Sequence, residues 1–157
     1  MLKKYLQILD ESLDKKIEIL TAIEAKSKEQ AELIEHEASF EDIDANMDAK
    51  AELIEQVMKL DEGFDAMYKN IKENLEAQKA ECKDQIAGIQ EKIKEVMAKS
   101  TSIEAIEARN KAAMEKRFAV AHKDNKQRMT SADAVRDYYK VANKLNAITP
   151  QFMDQKK

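Results

Sequence analysis

Few residues in this chain are placed to do chemistry. It has two histidines and one cysteine among 157 residues. A carboxylate-bridged di-iron site in a helical bundle takes two Glu-x-x-His pairs, but Leu33 stands three before His36 and Ala119 three before His122. Glu32 and His36 lie one helical turn apart, yet transition-metal sites take three or four ligands, so the pair reads as surface residues at a helix end. Cys82 and His122 would make a nucleophile and base if the fold brought them together. Cys82 falls on an apolar ladder, where a small buried hydrophobe is the ordinary reading, and no glycine-bearing loop is near to supply an oxyanion site. With 31 acidic residues no carboxylate pair is informative. Nothing in the residue types points to an enzyme, a metal or a cofactor.

The charge balance narrows the classes further. There are 27 basic and 31 acidic side chains, for a net charge of −4, which argues against generic nucleic-acid binding. A local basic stripe (Arg109, Lys116, Arg117, Lys123, Lys126, Arg128, Arg136) reads as a solvated face, because it carries a single aromatic, Phe118, before Tyr138. A membrane-surface helix needs bulky apolar residues opposite its lysines, and here they are mainly Ala. No uncharged run exceeds nine residues, too short to span a bilayer. A lone cysteine fits a reducing compartment, so the expected location is the cytoplasm.

The elements that must position any site are helices. Two Gly and one Pro are too few for the hairpin turns of a sheet protein, while Ala, Glu, Lys, Leu and Ile are strong or adequate helix formers. Ladders spaced by seven (Leu2, Leu9, Ile23 and Leu6, Leu13, Leu20, Ile34) predict a first helix over 2–36, interrupted by Lys16 and Ser27. Ser39 with Asp42 has the form of a capping box and opens a second helix over 40–99. Its ladder reads Met47, Ile54, Asp61, Tyr68, Leu75, Cys82, Ile89, Val96, with Asp61 the one charged member. Gly63 could allow a bend. Thr101 with Glu104 suggests another cap and a third helix over 102–147, polar through its middle at Asn110, Arg117 and Asp124. The expectation is a single all-α domain over 1–148, an elongated antiparallel bundle of three long helices thick only in its middle, with a C-terminal tail over 149–157. Residues 29–65 carry a net charge of −11 and residues 109–144 a net +6; folding back would set the basic stretch beside Glu55–Asp65.

The end of the chain is its least charged part. Leu145 to Met153 has no charged residue, and Ile148, Phe152 and Met153 are either tucked against the bundle or kept for a partner. Tyr138, Tyr139, Val141, Ala142 and Leu145 form an amphipathic run suited to helix-in-groove recognition. The stretch Lys50-Ala-Glu-Leu-Ile-Glu-Gln-Val-Met-Lys-Leu-Asp-Glu-Gly-Phe-Asp-Ala-Met-Tyr68 and the ending Tyr138-Tyr-Lys-Val-Ala-Asn … Pro150-Gln-Phe-Met-Asp-Gln-Lys-Lys157 resemble flagellar export chaperones of the FlgN type.

That resemblance implies a cytoplasmic chaperone of the flagellar type III secretion system. Such a protein binds the terminal helices of hook-associated (hook-filament junction) proteins, prevents their premature assembly and helps deliver them to the export gate. It implies no catalytic, cofactor or metal site. By the same likeness the partner-binding residues are Tyr138, Tyr139, Val141, Ala142, Leu145, Ile148, Phe152 and Met153. The competing reading is a structural coiled-coil adaptor or dimerisation protein with no export role. No nucleic acid and no stable membrane insertion are expected, and a homodimer stays open.

Overall fold

The computed structural model of the protein describes residues 1–121 together with Arg136 and Tyr139. Three helices run in succession: α1 (Leu2–Glu35), α2 (Phe40–Ala77) and α3 (Lys83–Ala121). They form the expected all-α bundle. Their lengths of 34, 38 and 39 residues correspond to roughly 50–60 Å at about 1.5 Å per residue.

α1 ends where its backbone turns left-handed at Glu37 (φ 54°). The Ala38 amide donates to Leu33 O (2.9 Å) and the Glu37 amide to Ile34 O (3.1 Å), the paired bonds that satisfy a helix's last carbonyls. The N-cap half of the capping box at Ser39 forms as expected. Its backbone is extended (φ −61°, ψ 152°) and its hydroxyl accepts from the Asp42 amide at 3.1 Å, supplying one of the partners that the first amides of a helix lack. α2 then passes through Gly63 without interruption.

Two expected boundaries fall elsewhere. The second helix does not continue to residue 99: it stops at Ala77, the chain turns over 78–82, and α3 starts at Lys83. Nor does the Ser100–Ser102 cluster break the chain, since α3 runs straight through it. The Thr101 hydroxyl donates back to Met97 O (2.9 Å) and Ser102 donates to Glu24 Oε2 of α1 (2.7 Å). Hydroxyl side chains cap a helix or bond within it, depending on what the backbone does, so the motif Thr101-x-x-Glu104 alone did not decide. The remainder of the expected third helix, the expected tail over 149–157 and His122 lie outside the described residues, Arg136 and Tyr139 excepted.

Moving the turn reorders the bundle. α2 runs antiparallel to α1, with Lys16 against Asp61 and Lys50 against Gln30. α3 runs parallel to α1, with Gln85 donating to Lys3 O, Lys92 bridging Asp10 and Asp14, and Asn110 donating to Ser27 O. The bundle is therefore three helices thick along its described length rather than only at its middle, because the three lengths match. The charge pairing shifts as well: the basic segment of α3 lies beside the start of α2, where Arg117 stands 4.3 Å from the Phe40 ring centroid, and not beside Glu55–Asp65. One core joins Leu6, Leu13, Leu20 and Ile23 of α1 to Ile54, Val57 and Ile71 of α2 and to Ile89, Ile93 and Val96 of α3.

Candidate partner-binding surface

Of the eight residues expected to bind a partner, the described set contains one. Tyr139 is buried, and its hydroxyl donates to the main-chain oxygen of Glu107 at 2.8 Å. The Lys111 ammonium stands 5.7 Å from its ring centroid, within cation–π range. Burial pushes the Tyr139 phenol far above the usual tyrosine range, and the Glu107 and Glu115 carboxylates add to it, so the hydroxyl remains a donor at any ordinary pH. Tyr138, Val141, Ala142, Leu145, Ile148, Phe152 and Met153 lie outside the described residues.

Tyr139 meets α3 at a level where the core is polar. Lys50 is fully buried; its ammonium donates to Glu107 Oε1 at 2.9 Å and to Gln30 Oε1. Asn110 donates to Ser27 O at 2.9 Å, and Asn46 donates to Lys26 O at 3.0 Å. Burial holds the Lys50 ammonium below the usual lysine range, with the Glu107 carboxylate offsetting only part of that effect. Ser27 Oγ, Gln30 Nε2, Asn46 Oδ1 and Glu107 Oε2 are buried without a hydrogen-bond partner among the described residues. A buried ion pair also joins α1 to α2 in the more apolar part of the bundle: Lys16 Nζ to Asp61 Oδ1 at 2.7 Å.

The sequence carries a signal for several of these polar core residues. Lys16 and Ser27 interrupt apolar ladders of the first helix, and Asp61 is the charged member of the ladder in the second. Lys50 falls seven after Ile43 and seven before Val57. Charged residues in register with apolar ones are most economically placed when they pair with each other.

Shallow grooves mark the outside of the described helices. One, of about 560 Å³, runs between the last turns of α1 and the 106–113 stretch of α3 and is lined by Ala31, Ile34, Ile106 and Ala113 with Asn110 and the charged Lys28, Glu32, Glu35 and Arg109. Another lies between α1 and α2 and is lined by Ile8, Leu60, Phe64 and Met67 beside Gly63. Small side chains open the first groove and the missing side chain at Gly63 opens the second; no heavy atom lies within 4 Å of where its Cβ would be. Among the described residues no cluster of three or more metal-ligating side chains occurs. Cys82 is buried, and no described helix is long and apolar enough to cross a membrane. The arrangement offers surfaces for helix packing.

Comparison with known proteins adds no identity: no family model, curated protein or solved structure matches the chain.

Proposed function

We propose that the chain is a cytoplasmic export chaperone of the flagellar type III system, which holds terminal helices of hook-associated proteins until they reach the export gate. The observation that carries the reading is the seat of Tyr139. α1, α2 and α3 already share one core from Leu2 to Met114, and Tyr139, from the segment whose sequence resembles the cargo-binding part of that family, rests on a main-chain oxygen of α3. A main-chain acceptor is indifferent to which donor it receives, so a side chain from a cargo helix can replace Tyr139 there. A binding protein of this kind uses amphipathic helix faces rather than a catalytic cluster.

The test is isothermal titration of the full chain with C-terminal segments of the hook-filament junction proteins from the same genome, with a chain ending at Asp137 as control. Binding at micromolar affinity or tighter, lost in a control whose circular dichroism matches the full chain, supports the reading. Absence of binding by correctly folded full chain favours the structural coiled-coil adaptor instead.

A further inference from the structure

The two turns of this bundle are built in opposite ways. Between α1 and α2 the backbone leaves helical geometry decisively, with Glu37 left-handed and Ser39 extended and capping. Between α2 and α3 it departs at Gln78 (φ −113°, ψ 21°), and the Glu81 amide donates to Gln78 O (3.1 Å) with a three-residue reach, but much of the helical pattern persists. No residue of 78–82 has a positive φ. The Gln78 amide still donates to Asn74 O (2.9 Å), the Cys82 amide to Gln78 O (3.3 Å) and the Ile86 amide to Cys82 O (2.9 Å), all with the four-residue reach of an α-helix. The turn sequence, Gln78-Lys-Ala-Glu-Cys82, contains no Gly, Pro, Asn or Ser, the residues that ordinarily specify a turn; apart from Cys82 its members are good helix formers. The apolar ladder also keeps its phase through the turn: Tyr68, Leu75, Cys82, Ile89 and Val96, seven apart, are all buried. A loop has no reason to preserve helical phase, whereas a helix must.

We propose that the α2–α3 turn is a hinge that opens by becoming helical, so that α2 and α3 fuse into one helix and two copies of the chain exchange their α3 helices. The fused helix runs from Phe40 to Ala121, roughly 120 Å at about 1.5 Å per residue. Each copy's α3 then packs on the other copy's α1 and α2 with the contacts it makes within one chain. Lys92 meets Asp10 and Asp14, Ser102 meets Glu24, Asn110 meets Ser27, and Lys50 meets Glu107. Two fused helices crossing antiparallel at the hinge are related by a two-fold axis, the closed symmetry of most homodimers. Since both states share these contacts, the balance between them rests on the conformation of five turn residues and on protein concentration. This exchange is independent of the chaperone reading.

The experiment uses the full chain at natural abundance and labelled with ¹⁵N, mixed, held near the unfolding midpoint and cooled. Light scattering after size exclusion reports mass, and zero-length carbodiimide coupling reports which chains supply Lys92 and its carboxylates. The expected result is a dimer fraction that grows with concentration, with Lys92 joined to Asp10 or Asp14 in peptides of mixed isotope. Replacing Ala80 and Glu81 together with Gly should lower the dimerisation constant by about a hundredfold or more, because glycine disfavours a helix interior and not a turn. A chain that stays monomeric up to about 1 mM, the upper end of concentrations at which aggregation of partly folded chains is observed, overturns the proposal. So does a dimer whose Lys92 links join chains of one isotope only.

Discussion

At the scale of single residues, the informative positions are charged side chains that stand in register with leucines and isoleucines. Lys16 and Asp61 each break a ladder, and they break it at one level, where they bond at 2.7 Å. Their pairing was legible in principle, since two helices with one misfit each are satisfied by bringing the misfits together. The register of α1 on α2 that joins them follows from the turn between Glu35 and Phe40, which falls where the sequence places it. Breaking a buried pair costs about 3–5 kcal/mol because the remaining charge is left unpaired, whereas replacing both members with apolar residues is often neutral or stabilising. Asp61→Ala should therefore lower the unfolding free energy by that amount, and Lys16→Met with Asp61→Leu should restore or exceed the wild-type value. Equal losses in both variants, read from urea melts, would contradict a desolvation cost at this site. Lys50 makes a pH-dependent case. Burial lowers its folded-state pKa below the ordinary lysine value. Between those two values the unfolded chain binds a proton that the folded chain does not, so stability from this group rises as pH climbs through the window and is lost as pH falls. The unfolding free energy of wild type minus that of Lys50→Met should increase from neutral pH to about pH 10, near the unperturbed lysine pKa. A flat or falling difference would show that Lys50 is not held against its charge.

At the scale of elements, helix existence was legible throughout and helix ends only in part. The start of α2 was readable because a side chain encodes it, Ser39 accepting from the Asp42 amide. The turn at 78–82 was not, because its residues are helix formers in helical phase; tertiary packing of α3 on α1 outweighs local preference there. Ser100, Thr101 and Ser102 misled in the other direction, since α3 runs through them, with Thr101 bonding within α3 and Ser102 across to α1. The difference between the two cap motifs is measurable. Ser39→Ala should cost about 1 kcal/mol, the usual loss of an N-cap. Thr101→Ala should be neutral or slightly stabilising, because alanine is the better residue inside a helix and the bond from Thr101 to Met97 O contributes little. A loss of about 1 kcal/mol at Thr101 as well would mean that a helix does begin there.

For the molecule as a whole, most of the described buried polar residues gather toward one end of the bundle axis, with Lys16, Asp61, Gln90 and Ser100 lying outside that group. Toward the α2–α3 turn the three helices contribute Leu2, Leu6, Leu9, Leu13 and Leu20, then Val57, Phe64, Ile71 and Leu75, then Ile86, Ile89, Ile93 and Val96. Toward the α1–α2 turn the described core passes through Ile23, Ile54 and Ile103 and then thins to Ile43, Met47, Ile106 and Met114 around buried Ser27, Gln30, Asn46, Lys50, Glu107 and Asn110. Half-satisfied polar layers contribute less than apolar packing of the same volume, and local opening follows local burial. The half of the bundle around Lys50 should thus open without global unfolding. Amides of residues 45–50 and 108–114 are expected to exchange at least tenfold faster (about 1.4 kcal/mol in opening free energy) than those of residues 67–72 and 90–96. The two sets lie equally deep within their described helices, so fraying at ends does not separate them. Replacing Gln30 with Leu, Lys50 with Met and Glu107 with Leu together should slow exchange in the first set and leave the second unchanged. Glu107→Gln alone, which strands the Lys50 charge, should widen the gap. Uniform exchange along the wild-type bundle would mean that the polar layer is as well knit as the leucine core, and that the two halves unfold as one.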